Sequence, residues 1–264
     1  MDSMNSARSE VTCDHNTWLN NPVVETDKKD EETIDHNKME WLSMKTRITA
    51  LVEKADVSNV ELVADQILNE NIIKGKGVFC QTVMKSQSES PESSDVYAAV
   101  VAIINSKFPE VGYLLVKRAV LEFKEAHDSG DKQRMQTASR FLAQLVNQRV
   151  VYVFLPVTVL MLLLVNPSSD NVEVAAAFCS QCGSLMMDVV PHKLKEFLSE
   201  FHRLLTEGHF EKRVQVLIVR LFASKKRKFK ACGRVINVVD YEDRVTHDVC
   251  LFQDLDPETS LDDR

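Results

Sequence analysis

The chain has 264 residues, 44% hydrophobic and 27% charged, with only 7 glycines and 7 prolines. That is enough for one large domain or two small ones with a substantial core, and it argues against a sheet protein with many tight turns. The net charge of −7 is unevenly spread: residues 1–40 hold 10 acidic and 4 basic groups, and residues 240–264 hold 9 and 2, so 41–239 carries a net +6. A mildly basic body between acidic ends suits RNA or an acidic protein surface as a partner. The opening stretch MDSMNSARSEVTCDHN has no apolar core, so no secretory signal is expected, and the six irregularly spaced cysteines read as reduced thiols.

Residues 1–35 are polar and lack sustained periodicity, which predicts a disordered acidic arm. From Lys38 the pattern changes. Trp41, Leu42, Met44, Ile48, Leu51, Val52 and Ala55 recur at helical spacing, and Asp56 to Asn59 then offers a turn and an N-cap for a second helix carrying Val60, Val63, Ala64, Ile67 and Leu68. The unit repeats. Gly77 to Ser88 pairs with Asp95 to Phe108, and Glu110 to Ala126 with Lys132 to Arg149, with Gly130 as a stop and Asp131 as the next cap. Val150 to Val165 pairs with Val172 to Met187, and His192 to Thr206, opened by Pro191, pairs with Phe210 to Lys228.

Helix pairs recurring at roughly 40 residues predict an all-α, HEAT-like solenoid of five antiparallel hairpins. Ile103, Leu115, Phe141, Leu145, Leu160 and Val214 are expected in its core, and Asn105-Ser106-Lys107 before Pro109 is expected to be an exposed elbow between hairpins. The run Val150 to Val165 is apolar for sixteen residues, short of the ~20 a membrane span needs, and reads as a buried helix, so no membrane partner is expected. Cys179 and Cys182 form one CxxC without a matching second ligand pair, and read as two helix residues rather than a zinc or redox site. There is no phosphate-binding loop and no nucleophile, base and carboxylate constellation, so neither a cofactor nor an enzyme activity is expected.

The blocks ENIIKGKG (70–77), VYAAVVAIINSKFPEVGYLLVKR (96–118), DKQRMQTASRFLAQLVNQRV (131–150), DNVEVAAAFCSQCG (170–183) and EKRVQVLIVRLF (211–222) resemble, in order, the middle domain of translation initiation factor 4G in the form carried by nucampholin-like splicing factors. The resemblance covers roughly residues 38–250. It implies a middle domain over 36–235, followed by an acidic linker-like tail over 236–264 that in the family leads into a second helical domain. It further implies a nuclear spliceosome scaffold. Such a scaffold binds other spliceosome proteins and grips the DEAD-box helicase of the exon junction complex, holding it open and inactive until deposition on mRNA. A middle-domain scaffold of translation initiation or mRNA decay, binding another DEAD-box helicase, shares the same fold.

Carried over by the family motif, the helicase-binding residues are Lys54, Asp56, Ser58 and Asn59, with Lys74 and Lys76 standing where the family has the arginines of an RGRG turn. Glu53 replaces the family's usual Asn. The bland reading of the same residues is a capped turn with solvated lysines. Lys225, Lys226, Arg227, Lys228 and Lys230 form the one dense basic run, a candidate RNA contact or nuclear import signal, or simply a solvated helix end favoured by the helix dipole.

Overall fold

A computed structural model of the chain describes the backbone at residues 26–230 and 235–252, with side chains from Asn37 onward. Among the described residues ten α-helices follow in order: α1 (Thr26–Glu53), α2 (Val60–Leu68), α3 (Lys76–Glu89), α4 (Ser94–Lys107), α5 (Pro109–Asp128), α6 (Lys132–Asn147), α7 (Phe154–Val165), α8 (Ser169–Val189), α9 (Pro191–Glu207) and α10 (Lys212–Lys226). The chain divides into two compact units that meet in sequence between Leu42 and Ser43. In the first, α1 is already helical from Thr26, which corrects the expected disorder over 26–35; residues 1–25 lie outside the described residues. The cause of the miss is plain: this charged stretch has no apolar stripe, and periodicity detects only helices that bury a face.

In the second unit the five-hairpin solenoid stands as expected. Pro109 and Pro191 each open a helix, where a missing N–H costs nothing. Asp131 caps α6 by accepting from the Arg134 N–H at 3.0 Å, after Gly130 turns the chain at φ 70°. The even-numbered helices pack in succession, α2 on α4, α4 on α6, α6 on α8 and α8 on α10. In the other layer α3 packs on α5, whereas α7 touches α9 only sparsely and α5 less still. Leu115, Phe141, Leu145, Leu160 and Val214 are all buried; Ile103 is only half-buried, its neighbour Ile104 taking the core position.

The structure departs from the sequence expectation at three places. The apolar run from Val150 does not start as helix. Pro156 would remove an interior hydrogen bond from a helix beginning at Val150, so α7 starts at Phe154 and keeps Pro156 in its first turn. Second, Asn105 is not part of an exposed elbow: it is 2% exposed, and its side chain fills the space left by Gly112, where an added Cβ would lie 2.0 Å from Asn105 Oδ1. Third, the tail is not a free linker over its described part. Val249 and Leu251 are buried, and residues 244–251 strap the body, with Val151 and His247 forming a lone parallel bridge. Among the described residues there is no regular strand, and no helix is long and apolar enough to cross a membrane.

Candidate partner-binding site

The turn between α1 and α2 is built by its own side chains. Asp56 Oδ1 accepts from the Ser58 N–H at 2.6 Å, the Ser58 hydroxyl at 2.6 Å and the Asn59 N–H at 3.1 Å. These bonds, the Ser58 hydroxyl first, hold the Asp56 carboxyl below its usual range. Asn59 Oδ1 accepts from the Asp56 N–H at 2.8 Å, while Asn59 Nδ2 donates to the Lys54 carbonyl at 2.9 Å. Asn59 therefore does not cap α2 with its side chain, as expected from the sequence, but clamps the turn behind it. Of the residues assigned to this turn, Asp56, Ser58 and Asn59 are committed to holding it together. Lys54, beside Glu53, is exposed and presents its ammonium to solvent.

Lys74 and Lys76 lie at the opposite end of α2, which spans about 13 Å at 1.5 Å per residue. The α2–α3 loop, which carries Lys74 and leads into Lys76 at the start of α3, is fixed in two ways. Asn71 Oδ1 accepts from the Lys74 N–H at 3.2 Å. Arg47 of α1 grips Glu70 through two bonds of 2.7 and 2.8 Å, a planar fork on a carboxylate. That grip, first by hydrogen bonding and then by charge, depresses the Glu70 carboxyl. The predicted site is thus two exposed basic points on rigid turns, one at each end of α2, rather than one cluster. Sequence reasoning missed Arg47 and Glu70; separated by 23 positions, they leave no mark on helical periodicity.

The basic run at the end of α10 is arranged around an inward aromatic. Lys225, Lys226, Arg227, Lys228 and Lys230 are all exposed, but Phe229 is 1% exposed and lies so close to α8 that a Cβ on Gly183 would meet its ring at 2.6 Å. To turn it inward, Lys228 and Phe229 adopt φ of 54° and 55°. Such a backbone costs about 1–2 kcal/mol per residue. Burial of a phenylalanine, about 1.5–3 kcal/mol, and the Phe229 N–H bond to the Ser224 carbonyl at 2.8 Å offset it. Phe229 is a structural anchor, not a base-stacking surface.

The remaining candidates are structural. Cys179 and Cys182 lie on α8 and are fully buried; burial pushes the Cys179 thiol up to about 12, so neither is a thiolate at neutral pH. Among the described residues no group of three or more His, Cys, Asp or Glu side chains is placed to hold a metal. A cavity of about 600 Å³ between α3, α5 and α6 is lined by Met84, Leu121 and Phe141, but its charges are already engaged: Arg134 donates to Glu122 at 2.9 Å and Arg118 to the Gly77 carbonyl at 3.1 Å. Glu173, which burial alone would raise, is held below its usual range by Lys132 and Arg213, and so ties α8 to α6 and α10.

The profile of the MIF4G domain family matches residues 46–228. The human pre-mRNA-splicing factor CWC22 homolog is 37% identical over 235 residues, covering 88% of this chain and 26% of that protein. Pre-mRNA-splicing factor cwc22 of Neurospora crassa is 34% identical over 235 residues, covering 88% of this chain and 23% of its own length. For cwf22 of Schizosaccharomyces pombe the identity is 32%, with 88% and 26% covered. The chain spans about a quarter of the length of the curated relatives it matches. The chain belongs to the MIF4G domain family, and its similarity within that family is to the CWC22, or nucampholin-like, splicing factors.

Proposed function

We propose that this chain is a nuclear protein-binding scaffold of pre-mRNA splicing, and that it docks the DEAD-box helicase of the exon junction complex and holds its two lobes apart. The observation that carries the reading is 37% identity to a splicing factor across 88% of the chain. The geometry supports a docking role. Lys54, Lys74 and Lys76 project from turns whose backbones are held by internal bonds, so binding would order little that is not ordered already. The helicase supplies the ATPase in this scheme, and the scaffold restrains it. The basic residues 225–230 are available for a nucleic-acid phosphate or an import receptor on the far hairpin.

Calorimetry of the full chain with the exon-junction helicase and, side by side, initiation factor 4A tests the reading. Binding to the first is expected, weakened severalfold or more by the joint charge reversals Lys54→Glu, Lys74→Glu and Lys76→Glu, with circular dichroism unchanged. Asn59 is left alone because its amide builds the turn. Preference for initiation factor 4A would move the protein to translation, and binding unaffected by the three reversals would place the interface elsewhere. Binding to neither helicase would overturn the helicase reading.

A further inference from the structure

The strap over residues 244–251 stands outside the helicase reading and is held by an arrangement too specific for packing alone. Asn105, at the end of α4, donates from Nδ2 to the Val245 carbonyl at 2.6 Å. A carbonyl only accepts, which fixes the amide orientation, so Asn105 Oδ1 is the acceptor facing His247 Nε2 at 2.6 Å. The imidazole therefore carries its proton on Nε2. Its ring also lies against Tyr113 of α5, with centroids 5.4 Å apart. The His247 N–H donates to the Val150 carbonyl at 2.9 Å, the Tyr152 N–H donates to the His247 carbonyl at 3.0 Å, and the Thr246 hydroxyl donates to the Arg149 carbonyl at 2.7 Å.

These partners lie on two sides of one gap. Asn105 and Tyr113 belong to the α4–α5 side, while Arg149, Val150 and Tyr152 belong to the turn before α7. Here the odd-numbered layer is thin, α5 and α7 making even less direct contact than α7 and α9. The left-handed Arg149 (φ 62°) aims its carbonyl and that of Val150 at the strap. Gly112 is required because Asn105 occupies the volume of its missing side chain. We propose that residues 244–251 form a releasable clasp that spans the thinly packed gap between α5 and α7 and sets the angle between the third and fourth hairpins, with Asn105 and His247 as its positioning residues. The clasp is releasable because it has no regular structure of its own and rests on a few bonds and two aliphatic anchors, Val249 and Leu251.

Amide hydrogen exchange on the full chain, followed by mass spectrometry, tests the clasp in wild type, His247→Ala, His247→Gln and Asn105→Ala. In His247→Ala, peptides covering 244–251 should exchange at least tenfold faster, and peptides at the start of α5 and over 150–157 should accelerate with them, while α2 and α10 stay unchanged. Glutamine at 247 can still donate to Asn105 and should restore most of the protection. Asn105→Ala should act like His247→Ala; because Asn105 is buried, the His247 pair decides the outcome if Asn105→Ala fails to fold. Protection of 244–251 unchanged in His247→Ala would overturn the positioning role. Loss confined to 244–251, with α5 and α7 unaffected, would show a surface strap and overturn the clasp.

Discussion

At the scale of single residues, Asn105, Gly112 and His247 show how much a few side chains decide. Gly112→Ala places a methyl group where Asn105 Oδ1 sits, so the elbow must shift or the strap must leave. The expected outcome is a lowered melting temperature together with fast exchange of the strap amides, a pairing that a simple loss of helix stability would not give. His247 adds a pH dependence. Burial lowers its pKa below the ordinary 6.5, so docking favours the neutral ring, and the stability it contributes is complete above about pH 6.5. That contribution falls as the pH drops below 6.5 and is fully lost below the depressed value. The Nε2 proton is present in both forms, so the bond to Asn105 survives; what acid adds is a charge to be buried beside Tyr113 and Asn105, with Lys117 already over the Tyr113 ring at 4.7 Å and Asp248 next along the strap. Strap exchange measured from pH 7.5 to 5.5, corrected for intrinsic rates, should accelerate on the acid side in wild type and stay flat in His247→Gln.

At the scale of elements, the hairpins were legible because each helix buries one stripe, and burial is what periodicity records. The stops and starts were legible where proline, glycine or a capping aspartate enforced them, as at Pro109, Gly130, Asp131 and Pro191. Features that depend on contacts distant in sequence were not. Val150 to Val153 looks like helix by composition, and only its bridge to His247, with Pro156 ahead, gives the segment another role. The tail over 244–251 reads as linker because its two buried anchors, Val249 and Leu251, are too few to form a stripe. Within α6 the register places Phe141, Leu142 and Leu145 in the core, Leu145 fully buried. Leu145→Ala should cost about 2–5 kcal/mol by opening a cavity, read from the urea midpoint at constant slope; a loss under about 0.5 kcal/mol would mean that the site collapses around the smaller residue.

At the scale of the whole molecule, charge is unevenly spread: residues 41–239 carry a net +6 between acidic ends. The candidate site was legible only through family resemblance, since the bonds inside the α1–α2 turn would serve a merely structural turn equally well. What distinguishes a docking surface is the exposed charge left over, Lys54 and Glu53 at one end of α2 and Lys74 and Lys76 at the other. If these lysines meet an acidic helicase surface, Glu53 opposes them, and its removal should help. Glu53→Asn should therefore tighten binding by the worth of one exposed charge, about 0.2–1 kcal/mol, which is about 1.4- to fivefold in Kd. Screening supplies the control: exposed charges more than about 10 Å apart are largely decoupled at 0.1 M salt, so the gain should shrink between 50 and 300 mM salt, mainly through the association rate. A gain that persists at high salt would assign the effect to a direct contact made by the introduced amide rather than to relief of repulsion, and a weakening of binding would mean that Glu53 faces a basic partner group.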